Sequence, residues 1–70
     1  MSTGEGRGAG SGLPRVVAAV TLHRDAVWGG IPVFLARDEG ELWRLAGHVA
    51  KVTLGMIHDL ENGTLLIVRH

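Results

Sequence analysis

The 70-residue chain carries four histidines, seven carboxylates and no cysteine, and their spacing limits the chemistry they can do together. His48 and His58 fall on the polar side of one predicted helix. Ten positions apart means about 15 Å of rise, too far to ligate one metal ion. His23 and His70 end strands that the predicted topology runs antiparallel, so they sit at opposite edges. His58 and Asp59 are adjacent on a helix, about 100° apart, which does not make a base with its orienting carboxylate. His23-Arg24-Asp25 shares three letters with the protein-kinase catalytic loop, without a glycine-rich nucleotide loop or room for two lobes. The hydroxyls in structured segments are Thr21, Thr53 and Thr64, and none stands beside a base in the sequence pattern. The chain is therefore expected to be non-catalytic, with no metal and no cofactor. An enzyme role is left only to a site formed between chains, with His58, His48 or His23 supplied to a partner's cleft.

Those side chains depend on where one helix begins and ends. Counted from Leu42 at about 100° per residue, Leu45, Ala46, Val49, Ala50, Val52, Met56, Ile57 and Leu60 gather on one side. Arg44, Gly47, His48, Lys51, Gly55, His58 and Asp59 gather on the other. As a strand the same stretch alternates badly, because Val49, Lys51, Thr53 and Gly55 would share a face. Asp38 followed three residues later by Glu41 is a capping-box pattern, and acidic Asp38, Glu39 and Glu41 suit a helix N-terminus. Asn62-Gly63 reads as the left-handed C-cap. The periodicity thus predicts one amphipathic helix over about 39–61, in preference to hairpin turns at Asp38-Glu39-Gly40 and Glu61-Asn62-Gly63.

Around the helix lie RVVAAVTLH (15–23), IPVFLA (31–36) and TLLIVRH (64–70), three short strands by composition. The expected fold class is α+β: a small ββαβ domain over 13–70, with a three-stranded, mainly antiparallel sheet in the order 2-1-3. The first strand is central and antiparallel to both others, the third is parallel to the second, and the helix covers one face. Pro32 suits an edge strand. The strands are apolar on both sides, and one helix covers only one of them. Val17, Ala19, Phe34, Leu66 and Val68 are therefore expected on an uncovered face that serves as an interface. The helix has an apolar arc of about 200°, wider than the roughly 100° used in packing on a sheet. This leaves Trp43, Gly47, Ala50 and Leu54 as a second seam, fit for a symmetry mate's helix. In that reading a bulky residue at Gly47 blocks the seam, and Gly55→Ala, on the outer polar face, is neutral or stabilising.

Residues 1–12, MSTGEGRGAGSG, offer no apolar face and read as a disordered, Gly-rich tail. A domain as small as the remainder buries only about 60% of its unfolded surface and is marginal alone. With no cysteine to add a disulfide or a zinc-thiolate site, association with a homodimer mate or a larger protein is the expected remedy. The same absence suits a cytoplasmic setting, and no run of about 18 apolar residues would span a membrane. Seven basic residues balance seven acidic ones, which argues against bulk nucleic acid as a partner.

The leading functional reading is a non-catalytic protein-protein interaction module or small accessory subunit, acting as a homodimer or in a larger complex. The alternative is a nucleic-acid-binding or regulatory protein, in which Arg44, His48, Lys51 and His58 form a helix stripe that tracks phosphates. Flanking Glu41 and Asp59 count against it. Trp28, Gly29 and Gly30 form the candidate ligand or partner contact, with Trp28 as an anchor or stacking platform; the plainer reading is a turn with Trp28 folded over the core.

Overall fold

The computed structural model describes residues 14–26 and 29–70, so the predicted tail and Trp28 lie outside the described residues. The chain runs β1 (Arg15–Thr21), β2 (Val33–Leu35), α1 (Glu39–Thr53), β3 (Met56–Asp59) and β4 (Thr64–Arg69). All four strands join one sheet in the order β2-β1-β4-β3. The class is α+β with one helix on a mixed sheet, as expected, and β1 lies between β2 and the last strand. The sheet has four strands rather than three, and two of the expected directions are corrected.

The first correction concerns β1 and β2, which run parallel, with Ala19 beside Val33, Val20 beside Phe34 and Thr21 beside Leu35. β4 is antiparallel to β1 and so antiparallel to β2 as well. The segment 22–32 returns the chain to the start of β1 instead of closing a hairpin. Its beginning is fastened to the far end of the sheet: the Leu22 N–H donates to Gly63 O at 2.9 Å, and His23 Nε2 to Asn62 O at 2.6 Å. The ladder is closed at its two ends by Ala19 N–H to Pro32 O at 3.0 Å and Ala36 N–H to Thr21 O at 2.8 Å. Pro32 thus offers the sheet only its carbonyl, at the mouth of an edge strand, where a missing N–H costs nothing.

The second correction concerns the helix, which ends at Thr53 and not near residue 61. Its start is as read from the sequence, with Asp38 Oδ1 accepting from Glu41 N–H at 2.9 Å. The Glu41 carboxylate turns to Arg37, accepting from its backbone N–H at 2.8 Å and from its guanidinium at 3.2 Å. These hydrogen bonds hold the Glu41 carboxyl below its ordinary range. At the other end the Thr53 hydroxyl donates back to Val49 O at 2.8 Å, and Leu54 turns left-handed at φ 57°. Leu54 N–H reaches Lys51 O at 3.3 Å and Gly55 N–H reaches Ala50 O at 2.8 Å, a Schellman pairing.

Glycine usually takes the left-handed position of such a cap, but here it stands one residue later. A Cβ on Gly55 would lie 2.7 Å from Ile67 Cγ2 and 3.1 Å from Val68 O. The backbone presses against β4 there, so the glycine serves close approach and the left-handed turn falls on leucine. Leu54 is 81% exposed and so has little burial to offset a backbone cost of roughly 1–2 kcal/mol. Leu54→Gly is expected to stabilise the fold by about 0.5–1 kcal/mol, read as a higher urea midpoint. A lower midpoint would show that the leucine packs more than its exposure indicates.

Asn62-Gly63, expected as a helix cap, belongs to the β3-β4 hairpin. Leu60 N–H donates to Thr64 O at 3.1 Å. The Asp59 carboxylate accepts from Glu61 N–H at 2.7 Å, and the Asn62 side chain from Thr64 N–H at 3.1 Å. Glu61 and Gly63 both have positive φ, 61° and 87°, as tight reversals require. Between sheet and helix, Ala18, Val20, Ala36, Leu42, Ala46, Leu65 and Ile67 form the buried core. Each fully buried large aliphatic side chain contributes roughly 1.5–3 kcal/mol. The helix's apolar arc is narrower than predicted, because Val52 is 84% exposed.

Candidate protein-docking surfaces

Strand register decides which side chains share a face. Ala18 stands beside Ile67 and Val20 beside Leu65, and all four belong to the core beneath α1. The alternate residues turn away from the helix: Val16, Ala19 and Thr21 of β1, Val33 and Leu35 of β2, Thr64, Leu66 and Val68 of β4, Met56 and His58 of β3. The centre of this second face is buried within the protomer, with Ala19, Thr21, Thr64 and Val68 all 7% exposed or less, and the exposed apolar residues surround it. Leu35 is 50% exposed and Met56 57%, with Val16 and Val33 a little over a third. The threonine hydroxyls within the face are already paired. Thr21 and Thr64 share a hydroxyl hydrogen bond of 2.8 Å, and Thr21 Oγ1 accepts from His23 N–H at 3.1 Å.

Of the residues read from the sequence as this interface, Ala19, Leu66 and Val68 do turn to this face, but Ala19 and Val68 are buried in the protomer and Leu66 is half-buried. Val17 and Phe34 do not turn to it. A bulge between Val16 and Ala18 brings Val17 against the core and leaves Val16 with the outer set. The parallel register of Val20 with Phe34 places Phe34 on the helix side. There α1 leaves β2 uncovered, and a groove of about 310 Å³ runs between them, lined by Val17, Pro32, Phe34, His48, Val49 and Val52 among others. The sequence reading missed Val16, Val33, Leu35 and Met56 on the open face. A strict alternation carried across a bulge assigns every residue before it to the wrong side.

The predicted helix seam is divided. Trp43 is partly exposed, with its indole N–H donating to Glu39 Oε2 at 3.2 Å. Gly47 is half-buried with no atom within 4 Å of a built Cβ, Ala50 packs against the core, and Leu54 projects beyond the last turn. The predicted phosphate stripe is divided too. Arg44, His48 and Lys51 lie on α1, whereas His58 lies on β3 beside Leu66, on the opposite face of the sheet. Gly29 and Gly30 form a turn, with Gly30 at φ 81°. Among the described residues no three histidine or carboxylate groups gather as a metal site. No helix among them is long and apolar enough to cross a membrane.

A domain this small, with apolar residues of its outer sheet face left exposed, is built as an accessory subunit of something larger. Residues 14–70 match the model of the family described as capping complex subunit for YIEGIA, and the chain belongs to that family. It is also 31% identical over 55 residues to the uncharacterized protein YpzH of Bacillus subtilis (strain 168), across 79% of this chain and 86% of that protein. No solved structure matches it.

Proposed function

We propose that this chain is a non-catalytic accessory subunit that works by burying the exposed apolar residues of its outer sheet face against another protein surface, in a capping complex formed on a YIEGIA protein. The observation that carries the reading is the face itself, with Val16, Val33, Leu35, Leu66 and Met56 turned away from the core and its threonine hydroxyls satisfied internally. The family description supports the capping complex as the setting. A homodimer that pairs these exposed residues is an alternative first unit of such an assembly. The lack of cysteine supports a reducing, cytoplasmic site of action. The nucleic-acid alternative loses force because His58 stands apart from Arg44, His48 and Lys51.

Co-expression with a YIEGIA protein from the same genome, with the tag on that larger partner, is expected to recover both chains in fixed ratio. Leu35→Glu combined with Met56→Glu places a charge on each of the two edge strands of the face, and burying an unpaired charge costs several kcal/mol. Recovery of the double variant should fall at least about tenfold, for a change of 1.4 kcal/mol or more, with the far-UV circular dichroism unchanged. Undiminished recovery would reject the sheet face as the docking surface. No recovery of the parent chain would reject the capping role.

A further inference from the structure

We propose that the free edge of β2 takes an extended segment of the larger partner as an added strand, with apolar side chains alternating across it and a carboxylate at the end that meets Arg24 and Arg37. The proposal rests on the reading of β2 as part of a docking surface.

β2 lies at one edge of the sheet, with β1 on its inner side and no strand beyond it among the described residues. Alternate residues of a strand direct their backbone groups to opposite sides. Pro32 O and Ala36 N–H face β1, where they meet Ala19 and Thr21, so Phe34 between them faces β1 too. Val33 and Leu35 therefore direct both their N–H and both their C=O groups outward. Edge strands are commonly guarded by charge or by proline. The other edge strand, β3, carries His58 and Asp59, whereas β2 carries no charge, and the N–H that Pro32 lacks would have faced β1. This edge is left able to pair.

The side chains agree with the backbone. Val33, Phe34 and Leu35 are all exposed, yet Phe34 turns to the helix side of the sheet and its two neighbours to the other. A partner surface laid on one face would cover one set only. A strand beside β2 covers both, because its own side chains alternate. One set lies against Val33 and Leu35, and the other leans past Phe34 into the groove of about 310 Å³ that Pro32, Val49 and Val52 help to line. In strand addition the main-chain bonds hold the segment, and pockets for its alternate side chains select it.

Charge sets what stands at one end. Leu22, Arg24, Leu35, Ala36 and Arg37 line a second pocket, of about 250 Å³, at the C-terminal end of β2. No described carboxylate lies within ion-pair distance of Arg24, whereas Arg37 holds Glu41 at 3.2 Å and keeps its side chain 82% exposed. An aspartate or glutamate beside an apolar residue suits that combination, with aliphatic walls from Leu22 and Leu35 and guanidinium groups that donate to carboxylate oxygens.

Co-expression with a tagged YIEGIA protein tests the edge by comparing Val33→Pro with Val33→Ala. Both variants lose the valine side chain, but only proline removes an outward N–H, and the ladder to β1 does not use that group. Recovery of Val33→Pro is expected to fall at least about tenfold below that of Val33→Ala, and Arg24→Glu should lower recovery by a similar factor. If proline and alanine are recovered alike while Leu35→Glu with Met56→Glu is lost, the face docks and the added strand is overturned. Undiminished recovery of Arg24→Glu would overturn a carboxylate-bearing segment as the occupant. Amide hydrogen exchange tests the same edge in the unaltered chain, whether or not the proline variant folds. Val33 and Leu35 should exchange freely in the isolated chain and become protected in the complex, with Phe34 slow in both; equal exchange of Val33 and Leu35 in the two states would mean that no strand is added. A chain that is dimeric alone by light scattering, and monomeric as Val33→Pro, would give the edge to a second copy and overturn the partner segment. No recovery of the parent chain rejects the capping role and this proposal with it.

Discussion

Replacing Gly55 with alanine is expected to lower the thermal midpoint by about 10 °C, whereas Gly47→Ala should raise it by a few degrees. The two glycines look alike on a helical projection, and the structure separates them by what a Cβ would meet. At Gly55 it would lie 2.7 Å from Ile67 Cγ2, 3.0 Å from Thr53 Oγ1 and 3.1 Å from Val68 O. One of those neighbours is a buried core side chain and another is strand backbone, so neither gives way freely. Overpacking of this kind costs about 1–3 kcal/mol, and in a domain this small each kcal/mol moves the midpoint by about 4–8 °C. At Gly47 the built Cβ meets nothing within 4 Å, so alanine there keeps only its benefit as a helix former, roughly 0.5–1 kcal/mol. Thermal melts followed by circular dichroism, all at one protein concentration because association shifts the midpoint, decide it. If both alanines stabilise alike, residue 55 does not press on β4 and the helix runs through it as the periodicity predicted.

That contrast shows what was legible in the sequence and what was not. Local chemistry was readable: the Asp38 cap, Pro32 on an edge strand, the single helix and the surplus of apolar strand residues all rest on interactions within a few positions. The false step was the last turn of the predicted helix. Met56, Ile57 and Leu60 fall on the apolar arc of a helix and also serve a strand whose outer residues are Met56 and His58, because four residues are too few to separate a period of 3.6 from one of 2. Two further signals needed distant partners. Gly55 looks like an exposed helix glycine until β4 is placed against it, and Val17 changes face only because a bulge forms beside it. The parallel pairing of β1 with β2 was likewise hidden, since it depends on how residues 22–32 travel and on the bonds from Leu22 and His23 to the β3-β4 hairpin.

The second large effect is expected at Leu65 and Leu66, neighbours in sequence that serve different surfaces. Leu65 is 1% exposed and belongs to the core beneath α1, with Val20, Leu42 and Ala46. Leu65→Ala opens a cavity there, at a cost of about 2–5 kcal/mol. A small domain has a total stability near the bottom of the usual range of roughly 5–15 kcal/mol, so a large fraction of this variant should be unfolded at 37 °C. Leu66 is half-buried on the opposite face, so truncation removes less buried surface there. Leu66→Ala should cost the protomer about 1 kcal/mol or less, and its main effect should fall on association, where a central aliphatic contact is lost. Urea unfolding read beside solution mass separates the two outcomes. Leu65→Ala should lower the midpoint at every concentration, while Leu66→Ala should shift the concentration at which the complex forms and leave the dilute protomer nearly as stable as the parent. A dilute, monomeric Leu66→Ala that unfolds as readily as Leu65→Ala would mean that Leu66 is core rather than a contact for another protein.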